Sequence, residues 1–210
     1  MSVGRIIETE TCVAEGVEWL RRADPRFAPA LDACCPLPLR RKPDGFDQLL
    51  SAIVSQQVSV ASASAIWGRL REAGMVTPEA IRATDEEGLR ALGLSRQKAS
   101  YARALAEAGI DFEALRDTPT DEVIATLTAV KGIGVWTAEI YAMFSLGRAD
   151  VFAHGDLALQ EAARILLDLP ERPREKQMRQ IAEDWSPWRS VAARALWAYY
   201  RVAKDREGIR

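Results

Sequence analysis

The stretch "AVKGIGVWTAEIYAMF", residues 129–144, sets Gly132 and Gly134 either side of Ile133 and then opens an apolar run. Elsewhere in the chain apolar residues recur at three- and four-residue spacing, the helical period, and strand-like alternation is almost absent. The stretch therefore reads as two helices joined by the tight turn "KGIG", with glycine supplying positive φ without steric cost. The fold class this predicts is all-α. Taken alone, the glycine pair fits an ordinary helix–helix connection, because a glycine helix stop is commonplace.

Working outward, the pattern predicts a first helix over Glu8–Arg22 that stops before "DPRFAP", then a proline-rich connecting loop, "CCPLPLRRKPDG". "FDQLLSAIVSQQ" places Phe46, Leu49, Leu50 and Ile53 on one face, and Ser59–Glu72 continues as a small-residue-rich helix. Thr77-Pro78-Glu79 offers a cap followed by proline at the first helical position. Thr84-Asp85-Glu86-Glu87 reads as a capping box. A turn at Gly93 and a cap at Ser95 open a helix ending near Gly109; Thr120–Ala129 leads into the hairpin. Val135–Leu146, Asp156–Leu167, Pro173–Trp185 and Trp188–Ala203 bring the total to roughly ten helices.

The 210 residues are 48% hydrophobic and 28% charged, the balance of a soluble globular chain of one domain or two small lobes. No window approaches the ~20 apolar residues of a membrane span, and "MSVGRIIETETC" lacks the apolar core of a signal peptide. A cytoplasmic protein without membrane contact is expected. Cys12, Cys34 and Cys35 are an odd set with two adjacent, which suits a reducing compartment. A cysteine-bound iron–sulfur cluster needs four thiolates, so none is expected, nor any transition metal. The net charge of −2 is awkward for a nucleic-acid partner. The segment 186–206, however, carries Arg189, Arg194, Arg201, Lys204 and Arg206 against Asp205 alone, a local basic patch.

In a helix-hairpin-helix the free N–H groups of the turn and the N-terminus of the next helix meet a DNA phosphate, with no need of basic side chains. The window 127–160, "LTAVKGIGVWTAEIYAMFSLGRADVFAHGDLALQ", resembles the signature of the helix-hairpin-helix DNA glycosylase superfamily. "FDQLLSAIVSQQVSVASASAIWGRL" (46–70) and "WSPWRSVAARALW" (185–197) are similar to its alkylation-repair branch, 3-methyladenine DNA glycosylase II. With "LGLSRQKASYARALA" between them, four separated segments agree in order, from Phe46 to Trp197.

The resemblance implies two helical lobes with an active-site cleft between them. One lobe would cover about 46–146, with the helix-hairpin-helix at 120–146; the other would combine about 5–45 with 147–210. The N-terminal α/β domain of longer bacterial members is not expected in the first 44 residues. Asp156 falls on the family's catalytic position. By its spacing it is also a helix N-cap, and the two roles are compatible, since a helix N-terminus stabilises a carboxylate as the anion. An anion is what an oxocarbenium-like transition state at the sugar requires; it can also take a proton from the attacking water.

The resemblance assigns further parts. Gln57, with Gln56 alongside, stands where the family drives a wedge into the gap left by a flipped base; an apolar residue is usual there, and by spacing alone both are helix-end polars. Gly132, Gly134 and Thr137 would meet phosphate. The carbonyls of Thr128, Val130 and Ile133 would hold Na+ or K+, hard ions suited to oxygen; no organic cofactor is implied. In bifunctional members a lysine stands at the position of Trp136 and attacks the sugar; an indole forms no Schiff base, and Lys131 is inside the hairpin. A monofunctional enzyme is therefore expected, one that leaves an abasic site uncut.

The indole suits cationic bases, 3-methyladenine and 7-methylguanine, with 1-methyladenine and 3-methylcytosine within reach of compact members. Trp188 matches a second aromatic lining the base pocket. Tyr141 is offset by one from the branch's tyrosine, where this chain has Ile140. Tryptophans at helical spacing are more commonly core, the reading given to Trp19, Trp67 and Trp197. His154 is a lone loop histidine with no role assigned. The expected partner is duplex DNA with alkylated bases, bound by a monomer. A hairpin protein that holds DNA without chemistry, a helical protein-interaction domain and an oxidised-base lyase are the alternatives; Asp156 argues against the first, the coincidence of motifs against the second and Trp136 against the third.

Overall fold

The computed structural model describes residues 3–206, which form twelve α-helices and three short 3-10 turns with no β-strand. By their internal contacts they divide into two compact units, one from Lys42–Tyr141, the other from the described parts of Met1–Arg41 and Ala142–Arg210. The boundary falls inside a helix, at Tyr141–Ala142, rather than at the loop near 146.

In chain order the helices are α1 (Glu10–Ala23), α2 (Ala28–Cys34), α3 (Phe46–Ser55), α4 (Val60–Glu72), α5 (Pro78–Ala83), α6 (Glu86–Ala91), α7 (Arg96–Glu107), α8 (Thr120–Thr128), α9 (Val135–Phe144), α10 (Leu157–Leu166), α11 (Glu175–Ile181) and α12 (Arg189–Arg206). The caps explain most boundaries. Thr9, Ser59, Thr77 and Ser95 each accept a backbone N–H of the first turn through the side-chain oxygen, which satisfies a donor that the helix itself cannot. The cap expected at Thr84 sits one residue on, and no box forms, because the third helical residue is then Gly88, which has no side chain to return the bond. Asp85 is the cap and accepts from Gly88 N–H at 2.8 Å, because Thr84 still closes α5. α2 lies over Ala28–Cys34, where no element was expected, and the expected loop "CCPLPLRRKPDG" follows it without a helix; the helix expected over 173–185 is α11 followed by a 3-10 turn.

In the Lys42–Tyr141 unit, α3 packs on α4 and α7, and α7 also takes α5 and α6. Leu49, Leu50, Ile53, Leu70, Ile81, Leu89, Ala99, Ala102, Val123 and Leu127 are buried. In the other unit α12 lies against α1, α2 and α10. Its centre is Trp185, which meets Phe27 edge-on at 5.1 Å and Phe152 at 5.4 Å and donates its indole N–H to Asp24 at 2.9 Å. The core tryptophan is thus Trp185; Trp19, Trp67 and Trp197, assigned to the core by spacing, are only half-buried. No helix among the described residues is long and apolar enough to cross a membrane.

Candidate active site

The hairpin joins α8 to α9 through residues 129–134. Gly132 has φ +96°, and a Cβ there would lie 2.3 Å from Cγ of Tyr101. Backbone conformation and the ring of α7 both exclude any larger residue. Gly134 differs from the expectation: its φ is not positive, and among the described residues no atom beyond its chain neighbours lies within 4 Å of the space a Cβ would fill. None of those residues requires glycine there. Ile133 N–H closes the turn on the Val130 carbonyl at 3.0 Å. Thr137, in the first turn of α9, is buried.

The same unit holds both glutamines. The turn ending α3 carries Gln57 at φ +55°, a left-handed conformation that is costly for a side chain with a Cβ. Two bonds hold it. Gln56 donates from Nε2 to the Gly132 carbonyl at 3.0 Å, and the buried Lys98 ammonium donates to the Val54 carbonyl at 2.7 Å. Burial pushes the Lys98 amine below its ordinary value. Gln56 therefore packs against the hairpin, while Gln57 is exposed beside it. A groove of about 530 Å³ is lined by Gln56, Gln57, Ser95, Gln97, Lys98, Tyr101 and the hairpin residues 132–134. Gln97, Lys98 and Tyr101 were given no role by sequence and Ser95 only that of a cap; all four lie in the segment "LGLSRQKASYARALA".

Trp136 is half exposed, at 50%, beside the equally exposed Val135. Tyr141 is different: its hydroxyl accepts the Gly45 N–H at 2.8 Å, its ring meets Phe112, and burial pushes its pKa up to about 12. It stays a neutral phenol whose oxygen fixes the start of α3.

Asp156 and Trp188 lie in the other unit. Asp156 caps α10, one carboxylate oxygen accepting the N–H groups of Ala158 at 2.9 Å and Leu159 at 3.0 Å. The cap reading is thereby established. The loop before it is fixed from α12. Ser190 donates its hydroxyl to the Val151 carbonyl at 3.0 Å and to that of Arg148, and its N–H to the Ala149 carbonyl at 2.8 Å. Arg189 grips Asp150 at 2.6 and 2.9 Å, and Ser186 donates to the same carboxylate. Gln160 donates to the His154 carbonyl at 2.8 Å, and His154, buried, packs on Phe152. Partners 36 to 42 residues away gave no sequence signal. Leu157, next to Asp156, is 61% exposed. Trp188 is nearly buried, its ring so close to Gly16 that a Cβ there would lie 2.7 Å away.

The basic patch is corrected by these contacts. Arg189 is paired with Asp150, and Arg194 is buried with its guanidinium on main-chain carbonyls; the side chains of Asp205 and Arg206 lie outside the described residues.

An all-α chain with a glycine-closed hairpin, and with an aspartate fixed at the next helix's N-terminus, is by construction a helix-hairpin-helix protein. Residues 50–187 match the HhH-GPD superfamily of base excision DNA repair proteins, and the chain belongs to that family. It is 34% identical over 178 residues to DNA-3-methyladenine glycosylase 1 of Schizosaccharomyces pombe, covering 80% of this chain and 78% of that protein. Among solved structures it is similar to a DNA-3-methyladenine glycosidase of Bacillus halodurans (36% identity, TM-score 0.81, covering 90% of this chain and 91% of that one). It is also similar to a 3-methyladenine DNA glycosylase of S. pombe in complex with abasic DNA (31%, TM-score 0.69, 88% and 94%).

Proposed function

We propose that this chain is a monofunctional DNA glycosylase of base excision repair, hydrolysing the N-glycosidic bond of alkylated bases and leaving an abasic site. The observation that carries the reading is the Asp156 carboxylate, held by two N–H groups at the start of α10. A fixed anion of this kind stabilises the positive charge that develops on the sugar and costs no reorganisation during the reaction. The relatives support the substrate class by their activity, and the S. pombe structure holds the kind of DNA that base release leaves.

The other residues take roles consistent with their surroundings. The N–H groups of the hairpin around Gly132 and Gly134 and of Thr137 receive a backbone phosphate; Gly134, which none of the described residues requires to be glycine, allows that close approach. The carbonyls of Thr128, Val130 and Ile133 would hold Na+ or K+, which would supply positive charge near the hairpin. Gln57 fills the gap left by the flipped nucleotide, and Gln56 fastens its turn to the hairpin. Trp136 offers its exposed face to a cationic base such as 3-methyladenine or 7-methylguanine; 1-methyladenine and 3-methylcytosine carry the same charge. Trp188, seated on Gly16, is the second aromatic side chain given to base recognition. Tyr141 acts as a support for α3 and not as a titrating group. Since position 136 holds no amine, the strand is not cut. The enzyme works as a monomer in a reducing cytoplasm, in keeping with three cysteines that form no disulfide.

The test is base release from methylated duplex DNA by the wild type and by Asp156→Asn, with strand scission scored before and after alkali. Release by the wild type alone, with breaks only after alkali, is expected. Equal release by both proteins would move the chemistry away from Asp156, and breaks before alkali would make the enzyme a lyase.

A further inference from the structure

The end of α3 is held by a side chain from another helix. The last four carbonyls of a helix have no partner within it, and in α3 the Val54 carbonyl is one of them. It accepts at 2.7 Å from Nζ of Lys98, 44 residues on, in the first turn of α7. Lys98 is only 8% exposed. No carboxylate among the described residues is paired with it, and none lines the groove that it borders. A buried cation without a counter-ion is costly to a fold. Here the partial negative charge at the C-terminus of α3 compensates it, and burial still lowers the amine. Packing alone does not require a charge at this position, since an apolar side chain of similar length would fill the same space.

Three residues beyond the tethered carbonyl stands Gln57, exposed and at φ +55°, a conformation that persists only when the surroundings impose it. The far side of its turn is fixed by Ser59, which caps α4. Ser95, accepting the Lys98 N–H at 3.2 Å, fixes the start of α7. Tyr101 stands three residues beyond Lys98, on the same face of that helix, and its ring packs on Gly132. The first two turns of α7 therefore brace the Gln57 turn through Lys98 and the hairpin through Tyr101.

We propose that Lys98 is a positioning residue for base flipping: its ammonium, tied to the end of α3, sets the place of Gln57 relative to the hairpin and acts on the reaction through Gln57. The inference rests on the reading of Gln57 as the residue that fills the gap left by the flipped nucleotide.

The experiment uses the full chain as wild type, Lys98→Met, Lys98→Arg, Gln57→Gly and the Lys98→Met/Gln57→Gly double variant. Single-turnover release of 7-methylguanine from duplex DNA should fall about tenfold or more in Lys98→Met, the scale on which a small misplacement acts. Lys98→Arg should keep most of it. On the Gln57→Gly background Lys98→Met should add little further loss, the signature of two residues that act as a unit. Equal losses on both backgrounds would overturn the proposal. Affinity for undamaged duplex and its salt slope should stay at the wild-type values; a slope shallower by about one would make Lys98 a phosphate contact instead. Amide hydrogen exchange over residues 55–58, followed without DNA, should quicken in Lys98→Met and not in Lys98→Arg. Unchanged exchange there would also sink the proposal. A wild type that releases no base would count against the glycosylase reading, and the exchange measurement would then decide whether Lys98 holds the turn. Should Lys98→Met fail to fold, Lys98→Gln, which keeps a donor but no charge, takes its place with the same expected losses.

Discussion

Gln56 and Gly132 are joined by a 3.0 Å hydrogen bond from the side-chain amide to the hairpin carbonyl, so the turn that carries Gln57 and the hairpin form one piece of the Lys42–Tyr141 unit. Gly132 is held on its other side by the Tyr101 ring. Gln56→Ala should cost about 1 kcal/mol, the typical net value of one such bond, and should slow base release by loosening the Gln57 turn. Chemical denaturation and single-turnover release check both; unchanged stability with unchanged release would show that the bond contributes nothing.

The two hairpin glycines should separate cleanly. Gly132→Ala forces a Cβ into Tyr101 at positive φ and is expected to destabilise by about 1–3 kcal/mol, with Tyr101→Ala restoring only the steric part. Gly134→Ala meets open space and should leave the melting temperature nearly unchanged while weakening duplex binding. Equal melting curves for both variants would refute the assignment.

Asp156→Asn keeps a good cap, because asparagine is among the preferred N-cap residues. Its stability should stay close to wild type while base release disappears. Asp156→Ala should lose activity and about 1 kcal/mol as well. The denaturation midpoints of the three proteins decide whether cap and charge are separable.

Ser190→Ala should act at a distance. Its buried hydroxyl serves the carbonyls of Arg148 and Val151, and removing it leaves buried acceptors unmet at about 1–3 kcal/mol. The loop leading to Asp156 loses its anchor, so single-turnover release should slow while DNA affinity, measured separately, changes little. A variant that is less stable but releases base at the wild-type rate would limit Ser190 to folding.

Asp24 sets an acid limit to stability. Burial pushes its carboxyl up, but hydrogen bonds from Arg26 and Trp185 outweigh burial and hold it below the ordinary value. A carboxyl depressed in the folded state stabilises it fully above the unfolded pKa, near 3.9, and loses that contribution as pH falls through the folded pKa. The stability difference between wild type and Asp24→Asn should therefore shrink between about pH 5 and pH 3; a constant difference would show that the charge has no part in it.

What could be read in advance was local. Thr77, Ser95 and Asp156 announce their helices because a cap and the N–H it satisfies lie two or three residues apart. The hairpin was legible for the same reason, since Gly132 carries its conformation within one residue, although the need for glycine also comes from Tyr101, 31 residues earlier. The basic segment 186–206 was misleading: composition counts charges, but only contacts reveal that Arg189 is neutralised by Asp150 and Arg194 spent on Leu39. The tryptophans failed similarly, because helical spacing says that a face is apolar without saying which face meets the densest packing.

By itself, then, the sequence determined an all-α chain, its hairpin, most of its caps and the aspartate that opens α10, all properties of neighbouring residues. Only the tertiary structure decided that Gln56 faces the hairpin while Gln57 faces solvent, that Tyr141 is a buried support, and that α12 fixes the Asp156 loop. Each of these depends on partners many residues apart, whose meeting is set by how the helices pack rather than by any local preference of the chain.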